Sequence, residues 1–262
     1  MGQDDIQGFL QTVYFFLTAI VQSGAADSSR RVTLAIQQGA FYIARMIERP
    51  KTPQRDRCLQ CNRSRATCFC GFVKPFDTQT RFVLLMHPKE FKRQKTGTGR
   101  LTRLSLRHSE IIMGCDFSAD DRVRRLLADP GYYPVLLFPG PGSLNLSQGH
   151  ALTPPEGKTL LIMVIDGTWA MAKKIIRFSD NLRALPRIHF TPSVLSRFHI
   201  KRQPAAHCVS TIEAVYYLLD ILDRQGMEAL EGRHTSLLET IDSLVNFQKR
   251  YVAVSPKAPR RA

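Results

Sequence analysis

Three uninterrupted apolar runs of strand length constrain the fold of this chain more than any other feature of its sequence. They cover residues 81–86, 134–138 and 159–165. Apolar residues that do not alternate with polar ones indicate strands that are buried on both faces of a sheet. Helical patterns lie between or after these runs, at 119–128, 169–178, 211–223 and about 235–250. This alternation predicts an α/β domain with a mainly parallel sheet.

Changes in composition divide the chain into four predicted segments. Residues 1–50 carry two helical patterns separated by a Gly-Ala-Ala-Asp-Ser-Ser break, which predicts an N-terminal helical hairpin that we interpret as a packing or dimerisation element. Residues 51–75 contain a cysteine cluster, and residues 76–252 form the α/β domain. Residues 253–262 are basic and contain two prolines, which predicts a disordered tail.

The charge balance points to a polyanionic partner. The chain has 37 Lys and Arg residues against 22 Asp and Glu, a formal net charge of +15. Such a field attracts nucleic acid, although an indifferent basic surface gives the same count. The apolar stretch at 6–21 is too short to span a bilayer and follows two aspartates, so we expect a cytoplasmic protein with no membrane partner. These features do not predict an oligomeric state.

Four of the six cysteines fall within thirteen residues, which indicates a metal site in a reducing compartment and not a secreted disulfide framework. They form two pairs, Cys58-x2-Cys61 and Cys68-x-Cys70. Four soft ligands suit tetrahedral zinc and leave no open position on the metal, so we predict structural zinc. Buried or redox-active thiols are the alternative. Cys115 and Cys208 stand alone in the sequence, and we interpret them as core residues.

Ligands of open α/β sheets bind beyond the carboxyl ends of the strands. The third apolar run leads into Asp166, whose carboxylate could act as a general base or could cap the helix that follows. Trp169, the only tryptophan, could stack on a nucleobase or on adenine, or could simply be packed. Ser210 and Glu213 have the spacing of a capping box, which competes with a ligand-binding role.

Two groups of cations predict contacts with RNA. The first lies in segment 87–101, which we interpret as a loop around a Thr-Gly-Thr-Gly turn, where glycines allow close backbone approach and cations contact phosphates. The second lies on the helix after Asp166. A solvated charged loop and a solvated helix face are the alternatives. The predicted RNA-binding residues are Lys92, Arg93, Lys95, Thr98, Arg100, Lys173, Lys174 and Arg177.

These motifs, in this order, resemble the DTW-domain proteins, a family of tRNA-uridine aminocarboxypropyltransferases. The resemblance runs from about Arg57 to Asp223. It is carried by the two cysteine pairs, by Thr-Gly-Thr-Gly-Arg-Leu at 96–101, by Asp-Gly-Thr-Trp at 166–169 and by Ser-Thr-Ile-Glu-Ala at 210–214. Relatives commonly have Asn where this chain has Gly97, so the contact of that amide is missing or supplied by another group. Three upstream residues also have family-like spacing, namely His87, Glu90 and Arg93.

The resemblance implies a SPOUT-like fold with a knotted C-terminal half and S-adenosylmethionine as co-substrate. The 3-amino-3-carboxypropyl group would move to N3 of a uridine in tRNA and leave methylthioadenosine, with Asp166 as the general base. Residues 98–101 match the motif on the phosphate side of the family's site. Under the same resemblance, the co-substrate would contact Phe138, Pro139, Gly140, Ile165, Thr168, Trp169, Ser210, Thr211 and Glu213.

Two other functions are compatible with the sequence. A SPOUT-type RNA methyltransferase would use the same co-substrate but would release S-adenosylhomocysteine. A non-catalytic zinc-containing RNA-binding protein would share the basic charge and the cysteine pairs. Pure binding needs neither Asp166 at a strand end nor the Pro-Gly loop at 139–142, which argues against the second alternative.

Overall fold

A computed structural model describes residues 57–93, 97–192, 195–198 and 208–254 of the chain. They belong to one compact unit that begins at Arg57. The helical hairpin predicted within residues 1–50 lies outside the described residues. The same holds for Lys95 and for most of the tail at 253–262.

A six-stranded sheet forms the centre of this unit, and each strand pairs in parallel with its neighbours. The strands are β1 (Arg81–Met86), β2 (Ser109–Met113), β3 (Tyr132–Leu137), β4 (Leu144–Asn145), β5 (Thr159–Asp166) and β6 (Arg187–His189). Their order across the sheet is β2-β1-β5-β3-β6-β4. The predicted α/β class with a mainly parallel sheet is therefore confirmed.

Helices cover both faces of the sheet. Within the described residues they are α1 (Pro88–Arg93), α2 (Thr98–Ser105), α3 (Asp121–Ala128), α4 (Trp169–Phe178), α5 (Asp180–Arg183), α6 (Thr211–Arg224) and α7 (Ser236–Val254). Helices α2, α6 and α7 contribute to the hydrophobic core on one face. Helices α3, α4 and α5 contribute to the core on the other face.

Strand β5 belongs to both cores because alternate residues of a strand point to opposite faces of the sheet. Ile162 and Val164 pack in the core with α2, α6 and α7. Leu161 and Met163 pack in the core with α3, α4 and α5. By the same alternation, Asp166 directs its side chain towards the face covered by α2 and α6.

The interpretation of segment 87–101 as a loop was wrong. Helix α1 begins at Pro88, and the Thr-Gly-Arg-Leu motif forms the first turn of α2. The buried positions of α2 are Thr98, Gly99, Leu101, Thr102 and Ser105. Leu101 is the only large apolar residue among them, and the others are small or polar. The sequence of this helix therefore does not show the periodic apolar pattern by which a helix is predicted. Edge strand β2 escaped sequence analysis for a similar reason, since it begins with Ser109 and Glu110 and is only partly buried.

The predicted knot lies in the C-terminal half of the chain, which includes the connection between β6 and α6. Residues 193–194 and 199–207 of that connection lie outside the described part, so the knot stays a prediction. Among the described residues, no helix combines the length and the apolar character needed to cross a membrane.

Candidate functional site

A cavity of about 350 Å³ opens at the carboxyl edge of the sheet, where the strand-end rule predicts a ligand. Five of the nine residues predicted to contact the co-substrate line this cavity, namely Phe138, Pro139, Ile165, Trp169 and Thr211. Sequence analysis missed several other lining residues, among them Phe190 and Cys208. Phe190 directly follows the short strand β6, which carries too few residues to show a strand pattern.

Trp169 forms part of the cavity wall. It is the first residue of α4, is 39% exposed, and its ring centroid lies 5.6 Å from that of Phe138. Part of the indole surface is therefore open to the cavity and to solvent. The pair of rings gives the cavity an aromatic surface of the kind that adenine or a nucleobase stacks on.

Asp166 ends β5 beside this cavity, but its carboxylate is buried, with the residue only 4% exposed. The hydroxyl of Thr211 donates a hydrogen bond of 2.5 Å to Oδ1. The alternative that Asp166 caps the following helix is wrong, because the cap of α4 is Thr168, whose hydroxyl accepts from the Met171 amide.

Gly99 in the first turn of α2 covers the other oxygen of this carboxylate. A Cβ atom at this position would lie 2.4 Å from Oδ2 of Asp166 and 2.9 Å from Cε of Met86. Only a glycine allows the helix to come this close to the strand end. The carboxylate of Asp166 is thus enclosed between the first turns of α2 and α6.

Ser210 and Glu213 form the capping box that their spacing predicts at the start of α6. Glu213 is 1% exposed, and its carboxylate also accepts from the Ser196 hydroxyl at 2.7 Å and from the Arg197 amide at 2.6 Å. These bonds tie segment 195–198 to α6. The contact of Ser210, Glu213, Thr168 and Gly140 with a co-substrate stays a prediction, and none of the four is among the residues that line the cavity.

The four clustered cysteines have the geometry of a metal centre. Their sulfur atoms all lie within 4.8 Å of one another, with Cys58 and Cys70 at 3.6 Å and Cys61 and Cys68 at 3.7 Å. A tetrahedral zinc with Zn–S bonds of about 2.3 Å places its sulfurs about 3.8 Å apart. The four sulfur atoms are therefore close enough together to hold a metal ion of this type.

The thiols of this centre differ in acidity. Backbone N–H groups of Cys61 and Gln60 lower the pKa of Cys58 to about 6. Burial, followed by contact with the Cys58 and Cys68 sulfurs, raises the pKa of Cys70. Four thiolates at these distances repel one another, so full deprotonation requires a cation that they share.

Two arginines connect the surroundings of the cysteine centre with those of Asp166. Arg63 stacks on the ring of Phe69, with 4.2 Å from Cζ to the ring centroid, and burial lowers its pKa while the charges of the neighbouring cysteines raise it. Burial also lowers the pKa of Arg100, against the attraction of Cys61 and Asp166. Arg100 stacks on Phe91 and donates to its carbonyl oxygen. The metal centre and the strand-end carboxylate are thus electrostatic neighbours of the same guanidinium group.

The predicted RNA-binding residues fall into two classes. Lys92, Lys173, Lys174 and Arg177 are exposed, and the last three lie on α4, the helix that begins at the cavity wall. Thr98 is buried in α2, and Arg100 is partly buried and engaged with Phe91. The side chain of Arg93 and all of Lys95 lie outside the described part of the chain. Their contact with RNA stays a prediction.

A histidine and a cysteine meet at the same edge of the sheet, which sequence analysis missed. Nε2 of His87 lies 3.5 Å from Sγ of Cys115, and Nδ1 accepts from the Lys89 amide. Burial and the charges of Lys89 and Lys174 lower the pKa of His87. Cys115 is exposed, so its interpretation as a core residue was wrong, whereas Cys208 is buried as expected. Strand β2 ends two residues before Cys115. Had that strand been predicted, the strand-end rule would have placed Cys115 at the same edge of the sheet as His87.

The fold and the site together define a class, a parallel α/β protein with an apolar ligand cavity at the carboxyl edge of its sheet and a four-cysteine centre. The family model of the DTW domain matches residues 55–249. The chain therefore belongs to the DTW-domain family.

Curated relatives of this chain carry the names of transferases. The tRNA-uridine aminocarboxypropyltransferase 2 of Mus musculus is 28% identical over 204 residues, which cover 76% of this chain and 66% of the relative. The enzyme of the same name from Drosophila melanogaster is 29% identical over 74% of this chain and 76% of the relative. The tRNA-uridine aminocarboxypropyltransferase A of Arabidopsis thaliana is 26% identical over 88% and 90%. No solved structure matches the chain.

Proposed function

We propose that this protein is a transferase that moves the 3-amino-3-carboxypropyl group from S-adenosylmethionine to N3 of a uridine in tRNA. Relatives that align along most of the chain are named as tRNA-uridine aminocarboxypropyltransferases, which supports the transferred group and the uridine of tRNA as its acceptor. The observation that carries the proposal is the position of Asp166. It ends a central strand, and its chain neighbours Ile165 and Gly167 line the cavity at the carboxyl edge.

The cavity suits the co-substrate in size and chemistry. Its volume of about 350 Å³ falls within the range of about 300–1,000 Å³ that ligand pockets occupy. Phe138 and Trp169 offer ring faces to adenine, and Ile165 and Pro139 offer apolar contact. When bound there, S-adenosylmethionine supplies an electrophilic carbon next to a positively charged sulfur.

Asp166 serves in this proposal as the general base. N3 of uridine carries a proton, so the neutral imide is a poor nucleophile until a base takes that proton. A positioned base contributes about 10²–10⁴ in rate. The sulfonium is already a good leaving group, so the chemistry of the transfer needs no further acid catalyst.

The exposed face of α4 is the proposed contact surface for tRNA. Lys173, Lys174 and Arg177 lie on the helix that begins with Trp169, so phosphates bound there would flank a uridine that enters the cavity. The target uridine must leave its stack or lie in a loop where it is already unstacked. The cations supply affinity, and the cavity selects the base.

The cysteine centre holds structural zinc in this proposal. All four ligands come from the protein, which leaves no open position on the metal for a substrate or a water molecule. Zinc there would stabilise the segment that contains Arg63 and maintain its position near Arg100.

The Asp166→Asn variant tests the proposed function. Wild-type protein is incubated with tRNA and S-adenosylmethionine, and the digested tRNA is analysed by mass spectrometry. We expect a modified uridine from the wild type and at least about a 100-fold lower rate from Asp166→Asn, because an amide cannot accept the proton. Binding of tRNA, measured by filter retention, should remain within a few-fold of the wild type.

Asp180→Asn provides a matched control, because Asp180 is exposed on α5 and pairs with Arg183. It should transfer at the wild-type rate. The small-molecule product separates the alternatives: methylthioadenosine supports the proposal, and S-adenosylhomocysteine indicates a methyltransferase. No binding of S-adenosylmethionine by calorimetry would leave only an RNA-binding protein. Full activity in Asp166→Asn would exclude Asp166 as the base.

A further inference from the structure

The carboxylate of Asp166 does not face the cavity that it is proposed to serve. Asp166 is 4% exposed and is not among the residues that line the cavity, although Ile165 and Gly167 on either side of it are. Gly99 in α2 covers Oδ2, and Thr211 in α6 covers Oδ1. A proton that leaves a substrate in the cavity therefore meets another group before it reaches the carboxylate.

Thr211 connects the cavity with the carboxylate of Asp166. It lines the cavity, and its hydroxyl donates to Oδ1 of Asp166 over 2.5 Å. A hydroxyl has one proton to donate and two lone pairs that accept. While its proton points to Asp166, its lone pairs remain available to an N–H group in the cavity.

We propose that Thr211 is a catalytic residue that relays the N3 proton of uridine to Asp166. This inference rests on the proposed function and adds to it the route of the proton. N3–H of the bound uridine donates to Oγ1 of Thr211, and the carboxylate behind Thr211 accepts the proton that Oγ1 gives up. Asp166 is the base, and Thr211 is the group that touches the substrate.

The step balances in atoms and charge. As the N3–Cγ bond forms, the Cγ–S bond breaks, and its electron pair stays on sulfur to give neutral methylthioadenosine. The N3 proton moves to Oγ1 of Thr211, and the hydroxyl proton of Thr211 moves to Oδ1 of Asp166. A sulfonium cation and a carboxylate anion are thereby converted into two neutral groups, and Thr211 ends as a hydroxyl.

Other polar groups at this edge have different contacts. The hydroxyl of Thr191, which also lines the cavity, accepts from the Asn145 side chain at 3.2 Å. His87 accepts from the Lys89 amide through Nδ1 and contacts Cys115 through Nε2. Thr211 is the cavity residue with a described hydrogen bond to the carboxylate.

The position of Thr211 in the fold suits a relay. It is the first residue of α6, and Ser210 and Glu213 hold that turn in place through the capping box. Ser210 donates its amide to Glu213 at 2.8 Å, and Glu213 is fully enclosed. The hydroxyl of Thr211 is therefore presented by a helix end that its own neighbours keep rigid.

The test compares Thr211→Val, which removes the hydroxyl and keeps the shape, with Thr211→Ser, which keeps the hydroxyl. We expect Thr211→Val to lower kcat for transfer by about 100-fold or more, with the affinity for S-adenosylmethionine by calorimetry and the KM for tRNA within about threefold. Thr211→Ser should retain transfer within about tenfold of the wild type. The matched control is Thr240→Val, since Thr240 is fully buried and its hydroxyl donates only within α7, to the Ser236 carbonyl.

A second measurement keeps the inference testable if Thr211→Val does not fold. A relay moves two protons in one step, so single-turnover rates of the wild type in mixtures of H2O and D2O should follow a curved, two-proton dependence on deuterium fraction. A linear dependence would overturn the relay, because direct transfer to Asp166 moves one proton.

The outcomes separate the relay from the proposed function. A wild type that forms no aminocarboxypropyl-uridine overturns the proposed function and the relay with it. An inactive Asp166→Asn together with a fully active Thr211→Val overturns the relay and leaves Asp166 as the base. Equal losses in Thr211→Val and Thr211→Ser also overturn the relay, since they show that the shape of the side chain, and not its hydroxyl, is required.

Discussion

Gly99 and Asp166 depend on each other although 67 positions separate them in the sequence. The absence of a side chain at Gly99 lets the first turn of α2 approach the carboxylate, and the space left there would not hold even a methyl group. A glycine at this point therefore leaves room for the site carboxylate in its observed orientation. Its role is steric, and no charge or hydrogen-bonding side chain is involved.

Gly99→Ala should damage both stability and transfer. The added Cβ would lie 2.4 Å from Oδ2 of Asp166, so either the helix or the carboxylate must move. We expect the free energy of unfolding in urea to fall by about 1–3 kcal/mol, and the rate of transfer to fall because the bond from Thr211 to Asp166 is displaced.

Gly71→Ala is the control for this change, because nothing lies within 4 Å of a Cβ atom at that position. It should unfold at the wild-type urea concentration. Wild-type stability and activity in Gly99→Ala would contradict the close contact between the first turn of α2 and the carboxylate of Asp166.

Helices α2, α4 and α6 all begin at the carboxyl edge of the sheet, and this shared direction concentrates their amino-terminal turns around the site. Thr98 starts α2, Trp169 starts α4 and Thr211 starts α6. The amino end of a helix carries partial positive charge, which favours a carboxylate or a phosphate by about 0.3–1 kcal/mol. The parallel sheet thus creates an edge that attracts anions before any basic side chain is counted.

Lys174→Gln tests the proposed tRNA surface on α4. Each phosphate contact that is lost lowers the slope of log affinity against log salt by about 0.7–0.9. We therefore expect the variant to bind tRNA more weakly at low salt, with a slope reduced by about that amount, in filter-binding titrations from low to high KCl.

The control for Lys174 is Arg107→Gln. Arg107 is an exposed cation that pairs with Asp77 and precedes β2, at the opposite edge of the sheet from the cavity. Its loss removes the same charge and should leave the slope unchanged. Equal slopes for the wild type and Lys174→Gln would exclude Lys174 from the tRNA contact surface.

At the scale of the whole described unit, the cysteine centre interacts electrostatically with a residue that also responds to the site carboxylate. The charges of Cys61 and Asp166 both raise the pKa of Arg100, against the effect of burial. The charges of Cys61 and Cys68 likewise raise the pKa of Arg63, and the charge of Arg100 lowers it. A metal ion there would change the charge that acts on Arg100, whose pKa also responds to the charge of Asp166. We therefore expect the folding of the cysteine segment to influence the electrostatics of the site.

Cys68→Ser should remove most of the bound zinc and destabilise the unit. Because metal binding to such a centre is coupled to folding, we expect the free energy of unfolding to fall by more than about 3 kcal/mol, with zinc measured by elemental analysis of the purified protein. Cys115→Ser is the matched control, since Cys115 is an exposed thiol outside the centre and should keep the zinc. A full complement of zinc in Cys68→Ser would exclude Cys68 as a ligand.

Local patterns were sufficient to predict the elements that depend on local order. Run 159–165 predicted β5 because a strand buried on both faces has to be apolar throughout, and 169–178 predicted α4 to the residue. The cysteine spacing predicted a four-sulfur centre because ligands close in sequence need little chain to converge. Helix α2 was missed because its buried face is made mostly of small and polar residues that pack against a strand end.

The amino-acid sequence by itself determined the parallel α/β class, the four-cysteine centre and the identity of Asp166 as a strand-end carboxylate. Only the tertiary structure decided which way that carboxylate faces, because Gly99 on α2 and Thr211 on α6, which lie against it, are far from it along the chain. Hydrophobic periodicity reports which face of an element is buried. It carries no information on how closely two helix ends approach one atom, which is set by the packing of the complete sheet and its helices.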